Sequence, residues 1–358
     1  MQNQQNSNYS NLKDAWQALS SGKERQYARD LAINLGTSEA ELVGAGCGEN
    51  VTHLKNSWGS IIAELDQLGE VKILTRNDHV VHEKVGIFGN ISVRGPMGLV
   101  LNRDIDLRLF LNRWVYGFAV KTETTKGIRQ SLQFFDDEGT AIHKIFLTEN
   151  SDATAYDELV AKYKSDDITP DITVVEKQAP ITPTPDDEIN IASLRDNWAK
   201  MKDVHQFHAL LKKHDCDRHQ AFRLIGPDYA EKLSLSALRE VLEHSAREKI
   251  SIMVFVGNKG CIQIHTGVIE SLKDMGPWIN ILDPKFNLHL REDHIAEAWL
   301  VRKPTKDGVI TTLELFDKEN TSFALLCGER EIRNPENPDW ANLLENLNRH
   351  QSTSEAAE

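Results

Sequence analysis

Cysteine is scarce: four in 358 residues, at Cys47, Cys216, Cys261 and Cys327, with no two in a CxxC pair. That spacing argues against a zinc knuckle or a thioredoxin-type redox pair, and scattered thiols suit a reducing cytoplasm. Long apolar runs are missing too. No stretch approaches the ~18 residues of a membrane span, so membrane insertion is not expected. The opening segment MQNQQNSNYSN has no apolar core of the kind a secretory leader carries. Positive charge is in deficit, with 41 Lys and Arg against 54 Asp and Glu and a net charge of −13. A nucleic-acid surface needs clustered Lys and Arg to displace counterions, so nucleic acid is not an expected partner. A local basic pocket for a small anion is still compatible with this balance. No GxGxxG fingerprint is present either. Gly257-Asn258-Lys259-Gly260 reads as a turn between strands, so a nicotinamide or flavin reductant is expected to come from outside.

What the chain does contain is itself, twice. An offset of 181 residues carries Asn77 onto Asn258, Gly86 onto Gly267 and Gly95-Pro96 onto Gly276-Pro277. The same offset pairs Leu107-Arg108-Leu109 with Leu288-His289-Leu290, and Phe135-Asp136 with Phe316-Asp317. Solenoid repeats have periods of about 20 to 50 residues, so this is a duplicated domain. Between the copies, Pro170, Pro180, Pro183 and Pro185 make an extended linker with little room for helix. The expected organisation is a first repeat over 11–164, a linker over 165–192 and a second repeat over 193–349.

Each copy opens helically. Leu12, Trp16 and Leu19 share one helical face, and Leu194 and Trp198 repeat its start. Helix is also expected over 61–68, over 206–213 with Asp203 as N-cap, and over 233–245. From Val71 and from Ile250 the pattern changes to short β-rich runs broken by Gly, Asn and Asp, as in an antiparallel meander. A closing helix carries Tyr156 and Leu159 in one copy, and Trp340 and Leu343 in the other. The fold class is therefore α+β: a tandem duplication, each half a large antiparallel sheet flanked by N-terminal helices and a C-terminal helix.

Three features could carry chemistry. In Asp106-Leu107-Arg108-Leu109-Phe110 the two leucines face one way, and Asp106, Arg108 and Phe110 the other. Arg108 is either a salt-bridge partner of Asp106 on a wet face or a guanidinium aimed into a pocket beside the flat ring of Phe110. The second feature is His-rich: His205 and His208 lie three apart at a helix start, followed by His214, Asp215, Cys216, Arg218 and His219. HExxH and paired cysteines are absent, which disfavours dedicated zinc, and most helical histidines are surface or core residues. The third is basic: Arg218, Arg302-Lys303 and Arg330 on an acidic chain suggest an anionic ligand, against the ordinary outcome of solvated charge.

The stretches DVHQFHALLKKHDCDRHQAF, IDLRLFLNRW, IMVFVGNKGCIQIHTGV and IAEAWLVRKPTKDG resemble the HemS/ChuS/PhuS (HmuS-type) family. These are cytoplasmic haem-utilisation and haem-degrading proteins of Gram-negative bacteria, and the resemblance spans nearly the whole chain. It implies haem b in a cleft between the halves, as ligand and substrate. His205, in the DVHQF motif, would be the proximal iron ligand and the metal-binding residue. Arg108, in the DLRLF strand, would stand on the distal face, and Phe110 would pack on the porphyrin. Arg218, Lys303 and Arg330 match positions associated with the propionates. One strand departs from the family pattern: an AQLYGQR-like run reads here Ala324-Leu325-Leu326-Cys327-Gly328-Glu329-Arg330, with Leu325 and Cys327 replacing Gln and Tyr. The chemistry is consistent with this assignment. A neutral imidazole is a standard haem ligand, whereas Arg stays protonated and donates hydrogen bonds to whatever occupies the sixth position.

The resemblance implies import-linked haem handling. One outcome is oxygen-dependent opening of the porphyrin with iron release, catalysed by His205 and Arg108 with an external electron donor. The other is a non-enzymatic chaperone or store that delivers haem to a separate haem oxygenase. Implied partners are haem, an inner-membrane haem importer, and an external reductase or haem oxygenase. The duplication raises a further question, because Arg108 corresponds to His289 and His205 approximately to Arg25. A second, vestigial site at Arg25/His289, or a contact from His82, stands against plain packing roles; His265 and His294 are given no role. Haem titration of His289→Ala decides: the expected result is an unchanged stoichiometry, and a halved one would establish a second site.

Overall fold

The structure is a computed structural model that describes residues 11–23, 26–125, 127–177, 182–330 and 334–354, with side chains to 347. The first half of the chain runs α1 (Leu12–Ser20), α2 (Ala28–Leu35), α3 (Glu39–Gly44), β1 (Val51–His53), α4 (Trp58–Ala63), β2 (Gly69–Arg76), β3 (Val80–Ile87), β4 (Ile91–Arg94), β5 (Met97–Leu101), β6 (Asp106–Phe110), β7 (Tyr116–Thr124), β8 (Gly127–Phe135), β9 (Ala141–Ser151) and α5 (Ala153–Tyr163). The second runs α6 (Ile191–Ala199), α7 (Gln206–Lys213), α8 (Arg218–Ile225), β10 (Ala230–Leu233), α9 (Ala237–Glu248), β11 (Ile252–Gly257), β12 (Cys261–Gly267), β13 (Leu272–Met275), β14 (Trp278–Asp283), β15 (Phe286–Arg291), β16 (Glu297–Thr305), β17 (Gly308–Phe316), β18 (Ser322–Gly328) and α10 (Pro338–Ser354).

The strands build two antiparallel nine-stranded sheets. The duplication is legible in their order: β1-β7-β8-β9-β2 recurs as β10-β16-β17-β18-β11, and β4-β5-β6 recurs as β13-β14-β15. The chain divides into two compact units, and each takes a short segment from the other repeat. Unit 1 holds the described residues up to Arg76, 83–177 and Gly257–Gln263; unit 2 holds Asn77–His82, 182–256 and the residues from Ile264 on. Between α5 and α6 the described residues contain only a 3-10 turn at Asp186–Glu188.

In each unit, helices cover both faces of the sheet. In unit 1, Phe118, Val120 and Phe135 lie under α1–α3, while Ala119, Leu132 and Phe134 face α4 and α5. In unit 2, Trp299, Val301 and Phe316 meet Trp198, Phe207 and Phe222 of α6–α8. The opposite face, with Leu300, Leu313, Leu315 and Leu326, is covered by α9 and α10. Period-2 burial along each strand produces this division. The two opening helices are anchored alike: the Trp16 indole donates to Asn50 at 2.8 Å, and the Trp198 indole to the Arg302 carbonyl at 2.9 Å.

Local differences from the sequence expectation have physical causes. Leu233 ends β10, which pairs with β16, and Ser234–Ser236 form a turn before α9 begins at Ala237. Asp203 does not cap α7 with its side chain; its carboxylate takes the His205 N–H instead. Strands β5 and β13 carry too few β-branched or alternating residues to stand out, and they are held by backbone pairing with β6 and β14.

The paired asparagines explain why the offset is so well kept at 77 and 258. Asn77 Oδ1 accepts from the His79 and Val80 N–H groups, and its Nδ2 donates to the Phe323 carbonyl. Asn258 Oδ1 accepts from the Gly260 and Cys261 N–H groups, and its Nδ2 donates to the carbonyls of Arg76 and Ile142. At Gly260 a Cβ would come within 2.8 Å of the Ile142 side chain, so the tip requires glycine. Asn258→Ala strands several polar groups at once and should lower stability by about 2 kcal/mol, read from urea midpoints. A shift below about 0.5 kcal/mol would show that solvent replaces these bonds.

Candidate functional site

In unit 2, His205 stands immediately before α7. Its side chain is 85% exposed. Nδ1 lies 2.6 Å from Asp203 Oδ1, which also accepts the His205 backbone N–H at 2.9 Å. That hydrogen bond, the largest influence on Asp203, holds its carboxyl below its ordinary range. The tautomer that gives Nδ1–H to the carboxylate leaves Nε2 as the nitrogen with a lone pair, on a ring that is largely exposed. Metal-binding histidines are oriented in this way by an outer carboxylate.

Two residues further on, the Phe207 ring is buried and clamped. Lys303 Nζ lies 4.7 Å and the Arg218 guanidinium 5.1 Å from its centroid, and the Trp198 ring meets it edge-on at 5.0 Å. Both cations are held from the sheet by Glu314 on β17, which is 0% exposed. Lys303 Nζ is 2.6 Å from Oε1 and Arg218 Nη1 2.5 Å from Oε2. Thr312 Oγ1 adds a third donor at 3.1 Å. Burial alone would raise the Glu314 pKa, yet Arg218 and Lys303 outweigh it and hold it at about 2. Burial lowers the Lys303 pKa, opposed by Glu314.

Arg330 is half-buried after β18, and its charge acts on Asp203, Cys327 and Glu336. The structure thus gathers His205, Arg218, Lys303 and Arg330 about one end of α7. Leu325 sits opposite Glu314 in the β17–β18 register, and Cys327 opposite Thr312. Burial pushes the Cys327 thiol up to about 12, so it is inert as a nucleophile at neutral pH. Arg302 points elsewhere, to Glu345.

In unit 1, Arg108 pairs with Asp106 on β6 and also donates to the Leu107 carbonyl at 3.3 Å. Phe110 is half-buried on the same face. Burial raises the Asp106 pKa, opposed by Arg108 and Lys84. The other histidines are dispersed. His219 bonds Glu297 at 2.8 Å, His289 bonds Asn280 at 2.7 Å, and His265 stacks on Phe286 at 3.7 Å with His82 nearby at 5.0 Å. His294 bonds His79, which in turn bonds Asp317. Arg25 lies outside the described residues. Among the described residues no group of three or more His, Cys, Asp or Glu is arranged to hold a metal, and no helix is long and apolar enough to cross a membrane.

Sequence reasoning missed Glu314, Phe207 and Glu336. The alternation Thr-Leu-Glu-Leu-Phe over 312–316 was a usable signal, because it aims an acid at the same face as Thr312 and Phe316. Glu336 had none: it follows a strand, and its carboxylate takes Thr311 N–H and Oγ1 only in the fold.

The fold and this cluster define a duplicated α+β protein with one cationic, histidine-bearing site in its second repeat. The model of the haemin-degrading HemS.ChuX domain matches the chain twice, at residues 36–163 and 215–347. The haemin transport protein HemS of Yersinia enterocolitica is 43% identical over 326 residues, 90% of this chain and 93% of its own length. Holo-PhuS, a haem-binding protein from Pseudomonas aeruginosa, superimposes with a TM-score of 0.91 at 44% identity, covering 94% of this chain and 98% of that one. ChuS, an E. coli haem oxygenase, does so with a TM-score of 0.84 at 42% identity, covering 94% and 99%. The chain belongs to the HemS family.

Burial raises the Glu336 carboxyl to about 7, against an ordinary 4.5. Between these values the folded protein holds a proton that the unfolded chain has released. The resulting stability is full below 4.5 and is lost as pH rises through 7. The thermal midpoint of the wild type should therefore fall more between about pH 4.5 and 7 than that of Glu336→Gln, and parallel curves would rule this out.

Proposed function

We propose that this protein binds haem through His205 Nε2 and opens the porphyrin with oxygen and an external electron donor, releasing iron in the cytoplasm. The observation that carries the reading is the exposed His205 ring, hydrogen-bonded through Nδ1 to Asp203, which leaves Nε2 to bind iron. The likeness to the haem-binding protein PhuS and the haem oxygenase ChuS supports it. Arg218 and Arg330 are the proposed partners of the two propionates, since bidentate guanidinium suits carboxylate. Lys303 is buried and compensated by Glu314, so its part is to support the Arg218 pair and not to meet a propionate. Arg108 and Phe110 are proposed as further haem contacts; the pair with Asp106 engages Arg108 Nη1, and a guanidinium has other N–H groups with which to donate. Burial of the apolar ring supplies most of the affinity.

The exposure of His205 also favours a second reading, delivery. A ligand on the surface can pass its haem from an inner-membrane importer to a separate oxygenase without local unfolding. Haem-loaded protein under air with a reductase or ascorbate, with catalase present, separates the two. Loss of the Soret band with free iron and a linear tetrapyrrole is expected. A band that disappears only when catalase is omitted is peroxide bleaching and leaves delivery. His205→Ala should change the Soret and visible bands; an unchanged spectrum means another residue holds the iron.

A further inference from the structure

We infer that Glu314 is a positioning residue for haem ligation: it sets the place of His205 by holding Lys303 and Arg218 against the Phe207 ring. The inference rests on the haem reading above and extends it to a residue that touches no haem.

Four observations carry it. Glu314 is fully buried, and each of its oxygens takes one cation, at 2.6 and 2.5 Å. Both cations then lie over the same ring, Phe207, at 4.7 and 5.1 Å. Phe207 is in the first turn of α7, two residues after His205, and backbone bonds from Gln206 N to Asp203 O and from Phe207 N to Val204 O tie that turn to the histidine. A shift of the Phe207 backbone is therefore passed to the turn that carries the imidazole. The fourth observation is the other repeat. At the same offset, Glu314 becomes Gln133, whose amide bonds Ser131, and Lys303 becomes Thr122. In that copy Lys144 stands opposite Gln133 and pairs with Glu39, so the buried charges have another arrangement and none of them is directed at a histidine-bearing helix start.

Arg218 adds a physical argument. It is the first residue of α8, where the helix dipole disfavours a cation, so its place there depends on the pair with Glu314. Glu314 compensates that charge and directs it at Phe207. An ion network that orders a ring beside a ligand is what outer-sphere positioning requires. Without Glu314, Lys303 becomes a buried, uncompensated cation and must lose its proton or leave the ring.

Haem titration and Soret spectra of Glu314→Gln test this on the full chain. The expected result is about 10- to 100-fold weaker haem binding, with the bands shifted toward those of His205→Ala. Asn258→Ala, destabilised in unit 1, serves as the control and should keep the wild-type bands, so a general loss of stability is not the cause. Glu314→Asp should restore part of the spectrum. A folded Glu314→Gln protein with wild-type bands and affinity overturns the inference. If that variant does not fold, Phe207→Leu keeps every charge and removes only the clamped ring; wild-type bands there overturn it equally. Failure of the parent reading is separate: His205→Ala with unchanged bands removes both claims, whereas changed bands in His205→Ala beside an unaffected Glu314→Gln remove only this one.

Discussion

Glu314 is surrounded by protein on every side, and a carboxylate survives there only because two cations close on its oxygens. Desolvating an ion costs several kcal/mol, and a buried pair seldom returns more than it cost. The network is thus weak as a source of stability and strong as a constraint on geometry. It fixes two cations, the cations fix a ring, and the ring fixes the start of the helix that carries His205. Most of the site chemistry in unit 2 depends on that one anion. Leu325, opposite it in the register, offers no hydrogen bond of its own, which leaves the carboxylate to its cations and Thr312.

Unit 1 has a buried network of the same composition and inverted sense. There the acid, Glu39, opens helix α3, where the dipole favours it, and the cations Lys144 and Arg76 come from the strands. In unit 2 the cation opens the helix and the acid sits on the strand. The first arrangement agrees with every local preference. The second agrees with one of them less and places positive charge beside a histidine. Duplicated folds allow this comparison within one molecule: the copy that keeps the agreeable arrangement is the one without a His205 motif.

The sequence made the architecture readable because periodicity reports burial. Trp16 and Trp198, Tyr156 and Trp340 all fill the helix–sheet interfaces that their spacing indicated. It also showed that Leu107 and Leu109 are inward and Arg108 outward. What it could not show were partners. The Arg108–Asp106 pair was one of two readings that alternation allowed, and the structure realises it. Lys303 beside Arg302 read as a basic doublet, yet one turns inward to Glu314 and the other to Glu345, because adjacent strand residues face opposite ways. Asp203 read as a cap; that its carboxylate would instead hold His205 depends on backbone angles at 203–205, which no spacing encodes. Short strands such as β5 depend on their neighbours for existence and leave little trace in composition.

The exchanged turns bear on how the two copies can change over time. Val80, encoded by the first repeat, is part of the unit 2 core, and Cys261, encoded by the second, is part of the unit 1 core. A substitution at either position is judged by the surroundings of the repeat that did not produce it. Selection on residues 77–82 and 257–263 is therefore coupled across the duplication. Neither repeat can drift, be replaced by a relative's or be recombined as a cassette without carrying the wrong residue into the other's interior.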